Sequence, residues 1–179
     1  MPPALDLDPQ KLRGALEACL FVAPEPLAPA TAAHALGVGA PEARKIMQSL
    51  QEEYRASGRG FELVEVAGGW RMMSAAQFAP IIARLKVARA ERRLSPAALE
   101  TLAVISYRQP IARADVEAIR GVNCGQLLRN LMDRRLVRIA GRAEALGAPI
   151  LYGTTKEFLE HFGLNSLKDL PRSGELSAG

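Results

Sequence analysis

The chain has 179 residues, 49% apolar and 23% charged, a globular composition with room for one ordinary domain or two small ones. Two cysteines, Cys19 and Cys124, exclude a disulfide framework and a Cys-x-x-Cys metal site, and no apolar run approaches the roughly 18–20 residues that span a bilayer. Lys and Arg outnumber Asp and Glu by 23 to 19, and residues 84–93, with five basic and one acidic side chain, carry a net charge equal to the whole +4.

The N-terminus, with Asp6, Asp8 and Glu17, does not resemble a signal peptide, so a soluble cytoplasmic protein is expected. Asp8 then reads as an N-cap with Pro9 at N1, and Leu12, Leu16, Cys19 and Leu20 share one face of a first helix. Pro24 and Pro26 stop it. A short helix is predicted from about Pro29 to Leu36, ended by Gly37, and a third from Pro41, with Ala43, Ile46, Met47, Leu50 and Tyr54 inward. Strands follow at Phe61 to Ala67 and Trp70 to Met73, with Gly68-Gly69 as the two-residue turn. Three helices and a hairpin, in that order, make a winged helix.

The pattern recurs. Leu16-Glu17, Pro26-Leu27-Ala28 and Gly37-Val38 match Leu99-Glu100, Pro110-Ile111-Ala112 and Gly121-Val122 at nearly equal spacing. The second copy opens at Ser95-Pro96 with a helix that is apolar on most sides, followed by a short helix carrying Val116 and Ile119. Asn123 with Gln126 reads as a capping box for a third, and Leu127, Leu128, Leu131 and Met132 face inward. Leu136 to Ala140 and Ile150 to Tyr152 are β-like and flank a wing loop, Gly141 to Pro149. Thr154 with Glu157 caps a last helix bearing Phe158, Leu159 and Phe162. The predicted fold is mainly α with small β-hairpin wings, an α+β chain of two tandem winged-helix domains at 1–83 and 94–164. A basic linker lies at 84–93, and a tail at 165–179 is expected to be flexible at its end, although Leu164 to Leu170 can still pack as an arm.

Reactive chemistry is hard to find in this sequence. His34 and His161 have no second His, Cys or carboxylate at ligand spacing, Cys19 reads as core, and Cys124 has no evident catalytic partner. Phosphate-loop signatures fail as well. No enzyme, cofactor or metal is expected, and a protein partner is favoured over DNA. The third helix of the second copy does show Gln126, Arg129, Asn130 and Arg134, but Asp133 interrupts them and the wing offers Arg142 against Glu144. Its counterpart in the first copy shows Glu42, Glu52 and Glu53 beside Arg44 and Lys45.

Several blocks carry a resemblance: Leu94 to Ile111, Ile119-Arg-Gly-Val122, Pro149 to Thr155, Phe158 to Leu164, Glu62 to Trp70 and Glu25-Pro-Leu27. Together they closely resemble the segregation and condensation protein B family over roughly residues 9–171. The departures lie around Cys124-Gly125-Gln126, in the Ala-rich wing loop 143–148 and in the tail. The resemblance implies a non-catalytic, kleisin-interacting subunit of the bacterial SMC condensin, acting in chromosome condensation and segregation at cell division. It implies a homodimer formed largely through the N-terminal domain, the kleisin subunit (segregation and condensation protein A) as partner, and SMC reached through the kleisin. Contact with DNA would be weak or indirect, with no membrane, and the location cytoplasmic and nucleoid-associated; the runner-up is a winged-helix DNA-binding transcriptional regulator. Expected kleisin contacts are Leu94, Leu99, Tyr107, Leu151, Tyr152, Phe158 and Phe162, and expected dimer contacts are Phe21, Trp70, Met72 and Met73. Domain core is the competing reading of each, and exposed apolar area decides between them.

Overall fold

The computed structural model describes residues 8–84 and 94–171. The chain divides into two compact units, Met1–Val87 and Ala88–Gly179. Apart from Arg84, the expected basic linker lies outside the described residues, as do positions 172–179 of the expected tail.

In the first unit, helix α1 (Pro9–Val22) starts where Asp8 Oδ1 accepts the Lys11 N–H at 2.9 Å, the cap expected from sequence. Helix α2 (Pro29–Leu36) closes on Gly37 in the left-handed conformation, φ 73°, where a side chain would be strained. Helix α3 (Ala40–Ala56) turns Ala43, Met47, Leu50 and Tyr54 inward, onto Leu12, Leu16 and Leu20 of α1 and Leu36 of α2. Each leucine so buried stabilises the unit by about 1.5–3 kcal/mol. Tyr54 Oη donates to Glu17 Oε1 at 2.6 Å, which ties α3 to α1.

Strands β1 (Phe61–Val66) and β2 (Gly69–Ser74) form an antiparallel hairpin with Leu63 opposite Met72 and Glu65 opposite Trp70. Its turn is one residue earlier than predicted, on Ala67 (φ 51°) and Gly68 (φ 76°). Gly69 belongs to β2 and serves another purpose: a Cβ there would stand 2.8 Å from Pro26 C and O. The chain between α1 and α2 crosses at that point, with Leu27 and Trp70 exchanging N–H···O bonds of 2.8 and 2.9 Å. That crossing also corrects the reading of Trp70. It is 1% exposed, in the core with α1–α3, and so is not a surface contact. Its Nε1 has no hydrogen-bond partner among the described residues, while the Arg44 guanidinium lies 5.0 Å from the ring centroid. A short 3-10 turn (Ala76–Phe78) and helix α4 (Ala79–Arg84) end the described part of this unit.

The second unit repeats the plan. Ser95 caps helix α5 (Pro96–Arg108), its Oγ accepting the Ala98 N–H at 3.2 Å. Strand β3 (Ile111–Ala112) leads into helix α6 (Arg113–Arg120), closed by left-handed Gly121, φ 69°. Helix α7 (Gly125–Asp133) follows, then β4 (Val137–Arg142), the wing loop, β5 (Ile150–Thr154) and helix α8 (Lys156–Phe162). The sheet order is β3-β5-β4, with Ile111 opposite Tyr152. The pair Ile111–Tyr152 is the counterpart of Leu27–Trp70, so the Pro-x-Ala match in the sequence marks the same strand-like crossing in both copies. Each unit is thus a winged helix, as the order of elements predicted.

Two capping assignments need correction. Asn123 and Gln126 form no capping box: Asn123 Oδ1 accepts the Gly125 N–H at 3.0 Å, and the Cys124 N–H is taken at 2.9 Å by Glu117 Oε1 from α6. Glu117 also receives Arg113 Nε at 2.8 Å, and the Cys124 N–H, then Arg113, hold its carboxyl below the usual carboxylate range. The cap of α8 is Thr155, not Thr154, and accepts the Phe158 N–H at 3.1 Å. Thr154 is engaged elsewhere: its N–H donates to Gln109 Oε1 at 2.7 Å, and its hydroxyl accepts Gln109 Nε2 at 2.9 Å, joining β5 to the end of α5.

Candidate partner-binding groove

Helix α5 has two neighbouring apolar faces. Ala98, Leu102 and Ile105 are buried in the core of the second unit, while Leu99, Ala103 and Tyr107, one helical turn apart, face solvent. Along the same side runs α8, with Phe158 buried at its start and Phe162 exposed at its end, their rings 5.0 Å apart. The chain then reverses at left-handed Gly163. Asp169 Oδ2 accepts the N–H groups of Asn165 and Ser166 at 2.9 and 2.8 Å, and this locks a 3-10 turn (Leu167–Asp169). From that turn Leu164 and Leu170 pack onto the core, and Tyr107 Oη donates to the Pro171 carbonyl at 2.6 Å. The arm expected at Leu164 to Leu170 is therefore real, and it closes the third side of a groove of about 440 Å³.

The groove is lined by Leu99, Leu102, Ala103 and Tyr107 of α5, Phe158 and Phe162 of α8, and Leu164, Leu170 and Pro171 of the arm, with Ser106. Ser106 Oγ is engaged with the Ala103 carbonyl, and no lining side chain among the described residues is charged. Such a site can exclude water from apolar side chains.

Of the residues expected to meet the kleisin, Leu99, Tyr107, Phe158 and Phe162 converge here. Leu99, Tyr107 and Phe162 stay 43%, 46% and 42% exposed, whereas Phe158 forms the floor. Leu94 packs half-buried on the core, and Leu151 and Tyr152 lie half-buried on β5 opposite Ala112 and Ile111; none of the three lines the groove. Ala103 was legible as the one-turn neighbour of both Leu99 and Tyr107. The contribution of Leu170 and Pro171 was not, because it depends on the reversal at Gly163.

In the first unit Phe21 is 79% exposed at the end of α1, and Met73 is exposed on β2; Val22 beside Phe21 is exposed too. Met72 is half-buried against the core. His34 and His161 are exposed, the latter edge-on to Phe162 at 5.0 Å. Cys124 is buried, its Sγ 3.4 Å from the Val122 carbonyl. No group of three or more His, Cys, Asp or Glu is placed to hold a metal ion among the described residues. None of the described helices is long and apolar enough to cross a membrane.

The chain is similar to known proteins over nearly its whole length. The family model described as segregation and condensation complex subunit ScpB matches residues 14–173. Segregation and condensation protein B of Syntrophotalea carbinolica is 43% identical over 171 residues, covering 96% of this chain and 86% of that protein. Among solved structures, ScpB from Mycobacterium tuberculosis is 37% identical, covering 89% of this chain and 99% of that one, with a TM-score of 0.45. A structure described as a dimer of an ScpB N-terminal domain complexed with ScpA peptide is 30% identical and covers 42% of this chain and 95% of that one, with a TM-score of 0.41. The matched span and the 43% identity place the chain in the segregation and condensation protein B family.

Proposed function

We propose that this protein is a non-catalytic accessory subunit of a bacterial SMC–kleisin condensin, acting in chromosome condensation and segregation. It binds the kleisin, segregation and condensation protein A, and reaches SMC through it, working as a homodimer in the cytoplasm on the nucleoid. Family membership supports the assembly, and the observation that carries the binding site is the apolar groove between α5, α8 and the arm. An amphipathic kleisin segment that folds on docking suits it, with apolar anchors one turn apart against Leu99, Tyr107 and Phe162. Phe21 and Met73 are the contacts proposed for the dimer, whose face includes neither Trp70 nor the buried part of Met72.

The test is titration calorimetry of the full chain with the kleisin's central region. Leu99→Asp and Phe162→Ala each weaken binding at least about tenfold, because the residues touch the partner without supporting the fold. Unchanged affinity in both variants would remove the groove from the reading. The regulator alternative predicts instead tight, sequence-selective binding of duplex DNA by the chain alone.

A further inference from the structure

The charge of the second unit is not spread evenly. Among its described residues, 94–171, ten basic side chains face eight acidic ones, yet residues 125–142 hold five arginines (Arg129, Arg134, Arg135, Arg138 and Arg142) and one acid, Asp133. The remainder of the unit is net acidic. All five arginines are exposed: Arg129 lies on α7, Arg138 and Arg142 on β4, which packs against α7, and Arg134 and Arg135 on the connection between the two.

The pairing of these groups differs from that of two other arginines of the unit. Arg113 and Arg120 are neutralised by Glu117 and Glu100, each at 2.8 Å. By contrast, Arg138 Nε is held by the Thr154 carbonyl and Arg142 Nη1 by the Ala148 carbonyl, both at 3.1 Å. A carbonyl fixes a guanidinium without cancelling its charge. Arg129, Arg135, Arg138 and Arg142 form no ion pair with a carboxylate among the described residues. The exposed face of α7 runs Gln126, Arg129, Asn130, Asp133, Arg134 at helical spacing, and the third helix and wing are the parts of a winged helix that meet DNA. Two features argue against base reading. Gln126 Nε2 is bonded to Asn130 Oδ1 at 3.1 Å, and Asp133 would repel phosphates in a deeply inserted helix.

We infer that the α7–β4 face of the second unit is a direct, sequence-independent contact for the phosphate backbone of duplex DNA. This goes beyond kleisin binding, and it gives a DNA-facing role to charges outside the basic run at 84–93. Leu146, fully exposed at the wing tip, lies where the wing would meet the minor-groove edge.

Fluorescence anisotropy of the full chain on labelled duplexes of two unrelated sequences tests this. Four phosphate contacts give a slope of log K against log salt of about −3.6 between roughly 50 and 200 mM, equal for both sequences. The Arg129→Gln/Arg138→Gln/Arg142→Gln variant loses about 0.9 of slope per arginine and weakens at least about tenfold at low salt. Lys45→Gln, on the exposed face of α3, leaves both unchanged. Circular dichroism and the thermal midpoint of the triple variant show that it is folded; if it is not, the single variant Arg129→Gln, at an exposed position on α7, replaces it and loses about 0.9 of slope. Absence of binding at low salt, an unaltered slope in the triple variant, a tenfold preference between sequences, or equal affinity for polyglutamate would each overturn the proposal. The last would assign the face to an acidic polypeptide instead.

Discussion

Replacing Gly69 by alanine puts one methyl group into the tightest backbone crossing of the first unit. The new Cβ stands 2.8 Å from Pro26 C and O and 2.9 Å from Leu27 C, whereas carbon contacts settle at about 3.5–4.0 Å. The obstacle is backbone, so no rotamer change relieves it. The crossing strand has to retreat by about 0.7–1 Å, which carries both Leu27–Trp70 hydrogen bonds beyond their useful range. Two such bonds contribute about 1–3 kcal/mol net, and looser packing around Trp70 adds about 1 kcal/mol. The lower entropy of an unfolded alanine returns about 0.4–1 kcal/mol, so the expected loss is about 2–3 kcal/mol. Gly68→Ala is the internal comparison: its Cβ meets open space, and only the positive φ, 76°, costs about 1–2 kcal/mol. Urea unfolding followed by Trp70 fluorescence reads both, since Trp70 is the only tryptophan in the chain and lies beside the lesion. A Gly69→Ala midpoint equal to that of the parent, or above that of Gly68→Ala, would refute the steric argument.

Other consequences can be measured in the same preparations. Burial, then the hydrogen bond to Glu17, pushes the Tyr54 hydroxyl up to about 12 from 10. For an acid whose folded value is raised, the associated stability is complete below pH 10 and is lost as pH climbs from 10 toward 12. Stability therefore falls across that window, and Tyr54→Phe makes the decline shallower. Glu117 behaves in the opposite sense: its depressed value contributes stability above the usual carboxylate range that is lost as pH falls through the folded value. Acid titration of Glu117→Gln should therefore show a flatter decline in the second unit than the parent does. Phe158→Ala removes the floor of the groove and costs about 3–4 kcal/mol of stability in chemical denaturation, while Phe162→Ala costs less than about 1. Tyr107→Phe deletes the bond to Pro171, and faster hydrogen exchange in the Leu167–Leu170 arm, with that of α5 unchanged, is the expected result.

Residues that act on the backbone of their own chain neighbours were readable from sequence. Asp8 and Ser95 as caps, Gly37 and Gly121 as left-handed stops, and the Pro-x-Ala crossings all sit where the sequence pattern places them. Misreadings arose where a competing partner came from elsewhere in the chain. Thr154 and Thr155 are equally good caps in isolation; Gln109 takes the first, and the second is left for α8. Strand alternation exposes Trp70 on one face of a hairpin but does not say that the α1–α2 connection covers it. The groove was half legible for the same reason: α5 and α8 present their stripes in sequence, whereas the arm reaches them only after the turn at Gly163. Charge misled in a different way, because the dense run at 84–93 attracts notice while five arginines between 129 and 142 gather only once α7 and β4 pack together.

The crossing at Leu27 and Trp70 has a kinetic side. The hairpin β1–β2 is local and can form within microseconds, but closing the loop of about forty residues between Leu27 and Trp70 costs about 3 kcal/mol of chain entropy before its hydrogen bonds return anything. Ile111 and Tyr152 face the same delay in the other unit. Each crossing should thus be fastened late, after its three helices and wing have assembled, with φ-values near zero for Gly69→Ala. What fastens last releases first. The amides of Leu27 and Trp70 should exchange by a smaller opening than that of Leu63, so the α1–α2 connection comes loose from the wing while the core beneath it is still folded.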